Sequence, residues 1–256
     1  MNWYDDLCEY YNVSPDRAIE LSTRSPGRKP DLPASKTCHA VSGKTFEELW
    51  DMKPRNTVAE KMEFYKDIGA WQVFRQCNYR REFDYGTIFA PYVKNNISIV
   101  EYGCGVAPLT NYIVEHPQEF ENVDISTLKF NMVDVGGEHL NFAKWRLNKK
   151  FPQGNFRFYE ITPENIVPFF DCNLDIICIM DVLEHLPNPY DVMSVLAKYS
   201  NPGAVLVETW VDKSGGQAGG PDLEEAEQQR KITMDLIAAN YSPIKAGSIR
   251  SHRKSQ

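Results

Sequence analysis

Apolar runs and amphipathic stretches alternate through the second two-thirds of the chain. Ile97–Val100, Leu128–Val135, Asn155–Glu160, Leu174–Met180 and Ala204–Trp210 carry the β-branched and aromatic density of strands. Leu174–Met180 is apolar throughout after Asp175, which predicts a central strand buried on both faces. Between these runs the period changes to that of helices. Leu109, Tyr112 and Ile113 share one face after Pro108, Leu140, Ala143 and Leu147 one face after Gly136-Gly137, and Val192, Val195, Leu196 and Tyr199 one face after Pro189. Thr162-Pro163 predicts a further helical turn, and a charged helix is expected from Asp222 to about Ala239. Strands alternating with helices at this spacing predict βαβ units: an α/β chain with a mostly parallel sheet and helices on both faces.

The first part of the chain reads differently. Trp3, Leu7, Tyr10 and Tyr11 predict a short helix, and Ser22–Gly43 has the proline, glycine, serine and lysine content of a loop. Cys38-His39 lies in that loop with no cluster of partner ligands near it in sequence. Thr45-Phe46-Glu47-Glu48 has capping-box spacing, Pro54 interrupts, and a longer helical stretch is expected from Val58 to Tyr85. Its aromatics (Phe64, Tyr65, Trp71, Phe74, Tyr79, Phe83, Tyr85) suit a stripe buried on the sheet and equally a cap over a ligand. Arg75, Arg80 and Arg81 stand where they can reach an anion such as a carboxylate, or form a solvated face. The expected division is a helical and loop cap region over residues 1–95 and a core over residues 96–256.

Length and charge narrow the classes. At 256 residues there is room for one sizeable core and an extra layer. A net charge of −7 argues against a nucleic-acid substrate, since phosphate binding needs a basic face. The run Asn188-Pro189-Tyr190 lacks the second proline of the adenine-methylating motif. The basic positions Lys245, Arg250, Arg253 and Lys254 read as a solvated end. No apolar run reaches membrane-spanning length and the start is acidic, so a soluble cytoplasmic protein is expected. Six cysteines without a C-x-x-C pair suggest free thiols, with neither disulfides nor a metal site expected. Oligomeric state is left open.

Chemistry concentrates at the predicted strand ends. Val100-Glu101-Tyr102-Gly103-Cys104-Gly105-Val106-Ala107-Pro108 takes a buried strand through two glycines into a helix. Gly103 and Gly105 allow positive φ and a close backbone approach by a ligand, and Pro108 suits the first helical turn. Asp134, Glu160 and the Asp181–His185 segment end three other strands, and ligands bind such sheets at the strands' carboxyl ends. A dinucleotide fingerprint needs a third small residue where Pro108 stands and an acid nearer than Asp134. Glu101 would repel a pyrophosphate but not a cationic ligand. S-adenosylmethionine, with a sulfonium and an ammonium and no phosphate, suits the acid.

On these residues the stretch from Ile97 to Trp210 resembles the class I S-adenosylmethionine-dependent methyltransferases, a Rossmann-like family, and its small-molecule branch in particular. Glu101-Tyr102-Gly103-Cys104-Gly105 is similar to the family's first motif, and Met180-Asp181-Val182-Leu183-Glu184-His185-Leu186-Pro187-Asn188-Pro189 to the segment after its fourth strand. The resemblance implies that Gly103 and Gly105 pass under the methionine part of the cofactor, with Tyr102 and Cys104 beside them. It further implies that Glu101 holds the amino group and Asp134, followed by Val135, accepts from the ribose hydroxyls. Glu160 and Ile161 would flank the adenine, and Asp181 and Val182 would line the far side. His185 is the candidate general base for a small-molecule acceptor, with a purely structural role in the turn as the alternative for it and Glu184. The aromatic helices and the glycine loop Gly215–Pro221 would form the acceptor pocket and lid. The stretch of about seventeen residues after Ala239 is short for a closing strand pair, so the family's seven-stranded sheet is expected to be incomplete. Two rival readings stand beside this one: a catalytically silent methyltransferase-like subunit, and an NAD or nucleotide-sugar enzyme.

Overall fold

The computed structural model describes residues 3–18, 50, 52, 54–69, 73–74, 76–77, 84–120, 123–210, 223–245 and 249–255. The expected capping box at Thr45, the arginines at 75, 80 and 81, Cys38-His39 and the glycine loop Gly215–Pro221 lie outside them.

Helix α1 (Trp3–Tyr11) comes first, then α2 (Val58–Asp67) and α3 (Tyr85–Phe89). The core follows as β1 (Ser98–Tyr102), α4 (Pro108–Glu115), β2 (Lys129–Asp134), α5 (Glu138–Lys150), β3 (Asn155–Glu160), β4 (Leu174–Ile179), α6 (Pro189–Tyr199), β5 (Ser200–Glu208), α7 (Glu224–Asn240), β6 (Tyr241–Lys245) and β7 (Arg250–Lys254). The sheet order is β3-β2-β1-β4-β5-β7-β6. The first five strands are parallel, and β7 runs antiparallel to both β5 and β6.

Alternation along the strands feeds two cores, one on each face. Val100, Tyr102, Ile177, Ile179 and Leu206 pack with α2, α6 and α7. Ile99, Met132, Cys178, Val205 and Val207 pack with α3, α4 and α5. Burial on both faces is why these strands read as continuous apolar runs. A third cluster joins Leu7 and Tyr11 of α1 to Val73, Phe74, Cys77, Val106 and Phe142. Among the described aromatics of that region, Phe64 is fully buried in the cluster on one face of the sheet and Tyr85 is buried in the cluster on the other, while Phe74 packs against α1; Lys61 pairs with Glu225 of α7 at 2.5 Å.

Four expectations are corrected. The sheet has its full seven strands, because β6 and β7 fit into the last stretch of chain. The basic tail is consequently not a solvated end: Arg250 and His252 of β7 reach the fully buried Glu208 of β5, at 2.5 Å and 3.2 Å. No helix follows Thr162-Pro163, where Thr162 and Asn165 close a tight two-residue bridge instead. The helical stretch expected over residues 58–85 is not one helix. It breaks at Ile68 after α2; the described residues Val73, Phe74, Gln76 and Cys77 are helical again, and α3 starts at Tyr85, where Thr87 N–H donates to the Asp84 carboxylate at 3.0 Å.

Burial alone would raise the Glu208 carboxyl, but the hydrogen bonds from Arg250 and His252 outweigh it and hold the group below the ordinary glutamate range. A depressed folded value means the contribution is present above the unfolded value of about 4.3 and is lost as pH falls through the folded one. Glu208→Gln should therefore lose about 2 kcal/mol at neutral pH, the scale of hydrogen bonds to a charged group. Urea midpoints taken down the acid limb should converge for the two proteins.

Candidate functional site

Every strand end of interest lies on one edge. Glu101 is near the end of β1, Asp134 ends β2, Glu160 ends β3, and Asp181 follows β4, all in parallel register. The loop after β1 is tied to β2. Gly103 N–H and Cys104 N–H both donate to the Val133 carbonyl, at 2.8 and 3.1 Å, and Gly105 N–H donates to Asp134 Oδ2 at 2.7 Å. Gly103 and Gly105 have φ of +66° and +54°, and Ala107 takes +54° as well. A side chain on Gly103 would strike Val182; at Gly105 it would meet only the flexible end of Gln76, and there the positive φ is what calls for glycine.

Glu101 is buried, and its carboxylate caps α4. It accepts from the N–H groups of Leu109 and Thr110, each at 3.1 Å, and from the Thr110 hydroxyl at 2.9 Å. Pro108 fills the first helical position, where no donor is needed. Tyr102 turns its hydroxyl into the core, donating to the Ile166 carbonyl at 2.5 Å. Burial first, then the nearby Asp134 and Glu101 carboxylates, push the Cys104 thiol well above its ordinary range, so it stays a neutral thiol. A pocket lined by Gln76, Tyr85, Glu101, Gly103, Cys104 and Met180, among others, encloses about 310 Å³ of empty space including its open mouth.

Asp134 is held on both of its oxygens. Oδ1 accepts from Val135 N–H at 2.7 Å and lies 2.8 Å from His139 Nε2, while Oδ2 takes Gly105 N–H. Burial would raise this carboxyl, but the His139 charge and hydrogen bond and the two backbone donors together hold it below the aspartate range. It is an anion at neutral pH.

The remaining expected residues are placed less uniformly. Glu160 is exposed and pairs with Lys66 of α2 at 2.8 Å. Ile161 is 3% exposed and packs in the core on the α2 side. Asp181 has a φ of +52°, and its N–H donates to the Thr209 hydroxyl at 2.6 Å, which in turn donates to Asp181 Oδ1 at 2.8 Å. The ends of β4 and β5 are thereby joined. His185 closes a short 3-10 turn from Leu183, with its ring centroid 6.1 Å from that of Tyr65 on α2. Glu184 is buried, and its carbonyl accepts from Leu223 N–H at 2.9 Å. The structure ties Gly103 and Gly105 to the end of β2 at Val133 and Asp134, while Glu101 is held separately by the first turn of α4 and His185 lies beside Tyr65.

Sequence reasoning missed three residues that hold the glycine turn and Asp134: Gln76, Asn111 and His139. Gln76 Oε1 accepts Val106 N–H at 3.0 Å, and Asn111 donates to the carbonyls of Val106 and Ala107 at 3.0 and 2.8 Å. Only Asn111 gave a signal, as a polar residue on the otherwise apolar side of a short helix.

The fit to an adenosyl cofactor rests on the cradle itself. Two glycines take positive φ, an ionised carboxylate ends β2, and a second acid lies beneath the loop. The side chain over Gly105 is the far end of a flexible glutamine, which shifts at low cost.

Comparison with known proteins agrees. A family model described as a methyltransferase domain matches residues 71–251. A mitochondrial ubiquinone biosynthesis O-methyltransferase of Dictyostelium discoideum is 25% identical over 119 residues, 46% of this chain and 36% of that one. The matched stretch thus spans about a third of that relative. Among solved structures, a chain of the Haloferax volcanii complex between the Trm112 methyltransferase activator and a methyltransferase aligns with a TM-score of 0.51. It is 10% identical and covers 78% of this chain and 98% of that one, which bears on the fold alone. A SAM dependent methyltransferase from Aquifex aeolicus aligns at a TM-score of 0.49 with 20% identity over 67% of this chain and 89% of that one. By its family match, its sheet order and its glycine loop, the chain belongs to the class I S-adenosylmethionine-dependent methyltransferases.

Proposed function

We propose that this chain transfers a methyl group from S-adenosylmethionine to a small organic acceptor at the carboxyl edge of its sheet. The observation that carries the reading is the hydrogen bond from Gly105 N–H to Asp134, which fixes an anion against a positive-φ glycine turn at the carboxyl edge of the sheet. The cofactor, when bound, supplies a methyl group already activated by its positively charged sulfur. Gly103 and Gly105 would lie under its methionine part, flanked by Tyr102 and Cys104. Asp134 would accept from the ribose hydroxyls, with Val135 beside it, and Glu101 would place negative charge below the ammonium while capping α4. Glu160 would offer its carboxylate, and Ile161 its backbone, near the adenine. Asp181 and Val182 would close the side toward β4.

The chain's remaining task is alignment and exclusion of water, which accounts for much of the rate in a displacement of this kind. The net charge of −7 supports a small acceptor over a nucleic acid, and the relative named for O-methyl transfer agrees. Where the acceptor atom must lose a proton, His185 is the side chain of the β4 turn chemically suited to take it.

This gives a direct test. In a screen of small hydroxyl, amine and thiol compounds against S-adenosylmethionine, at least one class should be methylated by the unaltered chain. On that acceptor His185→Ala should cut turnover by about 10²-fold or more while leaving S-adenosylhomocysteine binding unchanged. Undiminished turnover would remove His185 as the base.

A further inference from the structure

We propose that helix α1 is a positioning element for the cofactor loop, acting through Asp6, Arg146 and Asn111. Arg146 of α5 is wholly buried, so its charge must be answered on all sides. Its Nε donates to Asp6 of α1 at 2.7 Å, its Nη2 to Glu115 of α4 and its Nη1 to Asn111 Oδ1. The Trp3 ring of α1 lies on the guanidinium, 3.8 Å from its centre. Lys150 completes the group, 2.5 Å from Asp6.

The consequence lies at Asn111, itself fully buried. Because Arg146 takes the amide oxygen, the amide nitrogen must point the other way, and it donates to the carbonyls of Val106 and Ala107. Those residues carry the chain out of Gly105 through the left-handed conformation of Ala107, which a side chain adopts only when its surroundings hold it there. The other side of the same segment is held at Val106 N–H by Gln76. A line of contacts, charge-assisted from Asp6 to Asn111 and then through the neutral Asn111 amide, therefore runs from α1, through α5 and α4, to the turn on which the cofactor would rest. Asp6 and Trp3 lie outside residues 71–251, so the family match does not account for this part of the line.

The inference rests on the reading that Gly103–Gly105 seats the cofactor, and the experiment separates the two. S-adenosylhomocysteine binding by calorimetry and amide hydrogen exchange of residues 103–107 are measured for the unaltered chain and for Asn111→Asp, Asp6→Asn, Asp6→Glu and Lys149→Ala. Asn111→Asp keeps size and gives Arg146 a carboxylate, but removes both amide hydrogens from the loop carbonyls. It should weaken binding about tenfold and speed loop exchange, with the melting temperature held. Asp6→Asn should move both readouts the same way, and Asp6→Glu should recover them in part. Lys149→Ala breaks another contact between α5 and α1, with Glu9, and should change neither.

Unchanged binding and exchange in Asn111→Asp and Asp6→Asn would overturn the proposal. If the unaltered chain does not bind S-adenosylhomocysteine, the cofactor reading fails on its own. Exchange then still decides whether α1 anchors the loop: faster exchange in Asp6→Asn supports it and unchanged exchange overturns it.

Discussion

Asp134→Ala is expected to weaken S-adenosylhomocysteine binding by about 100-fold or more. On the proposed reading two ribose hydroxyls would lose a charged acceptor, at about 1.5–3 kcal/mol for each such bond, and tenfold in affinity is about 1.4 kcal/mol. The loss is compounded because Asp134 also accepts Gly105 N–H and holds the glycine turn against β2. Asp134→Asn keeps the shape without the charge and should fall between the two. The pH dependence has a definite sign. With its folded value depressed, the carboxylate contributes stability above the unfolded value of about 3.9 and loses it as pH falls through the folded value. Binding should therefore be insensitive to this group from neutral pH down to the ordinary aspartate range. A calorimetric series on the variants and across pH checks both statements; a variant affinity within a factor of about three of the unaltered chain would remove Asp134 from the site.

Arg146→Met should produce the largest loss of stability, about 3–5 kcal/mol. Methionine fills most of the volume, but Asp6 and Glu115 remain buried without the guanidinium that answers them. Asn111 Oδ1 loses its donor in the same step. In a chain of this size such a change lowers the melting temperature by roughly 10 °C. Urea unfolding of the two proteins, fitted with a common slope, measures the difference. A loss under about 1 kcal/mol would show that the buried acids find other partners and that Arg146 is not the centre of the group.

The core of the fold was legible because its strands are buried on both faces. Ile99–Val100 and Ile176–Ile179 must be apolar at every position, which is a strong local signal. The closing pair was not legible for the opposite reason. Tyr241–Lys245 contains Pro243 at the sheet's edge, and Arg250–Lys254 is mostly basic, so neither has an apolar period of its own. Their placement comes from long-range partners: Glu208 for Arg250 and His252, and Ser200, whose hydroxyl lies 2.6 Å from that of Tyr241. Thr162-Pro163 has the chemistry of a helix start, but with Asn165 it makes a turn, because the chain there crosses directly from β3 to β4.

The site divided along the same line. The glycine loop and Asp134 announce themselves through local sequence, since positive φ and a strand-end acid are properties of a few consecutive residues. His139, Asn111, Arg146 and Asp6 are ordinary polar residues of helices until the fold brings them together across as many as 140 positions. Glu101 shows the limit of motif reasoning in a different way. Its place in the motif was legible, while its hydrogen bonds to Leu109 and Thr110, which make it the cap of α4, follow only from the geometry of the turn.

The central claim, that the Gly103–Gly105 turn and Asp134 form a seat for S-adenosylmethionine, is tested most directly by titrating the purified chain with S-adenosylhomocysteine and, in parallel, with NADH. The account predicts micromolar binding of the first and none of the second. Binding of NADH with no response to S-adenosylhomocysteine would contradict it.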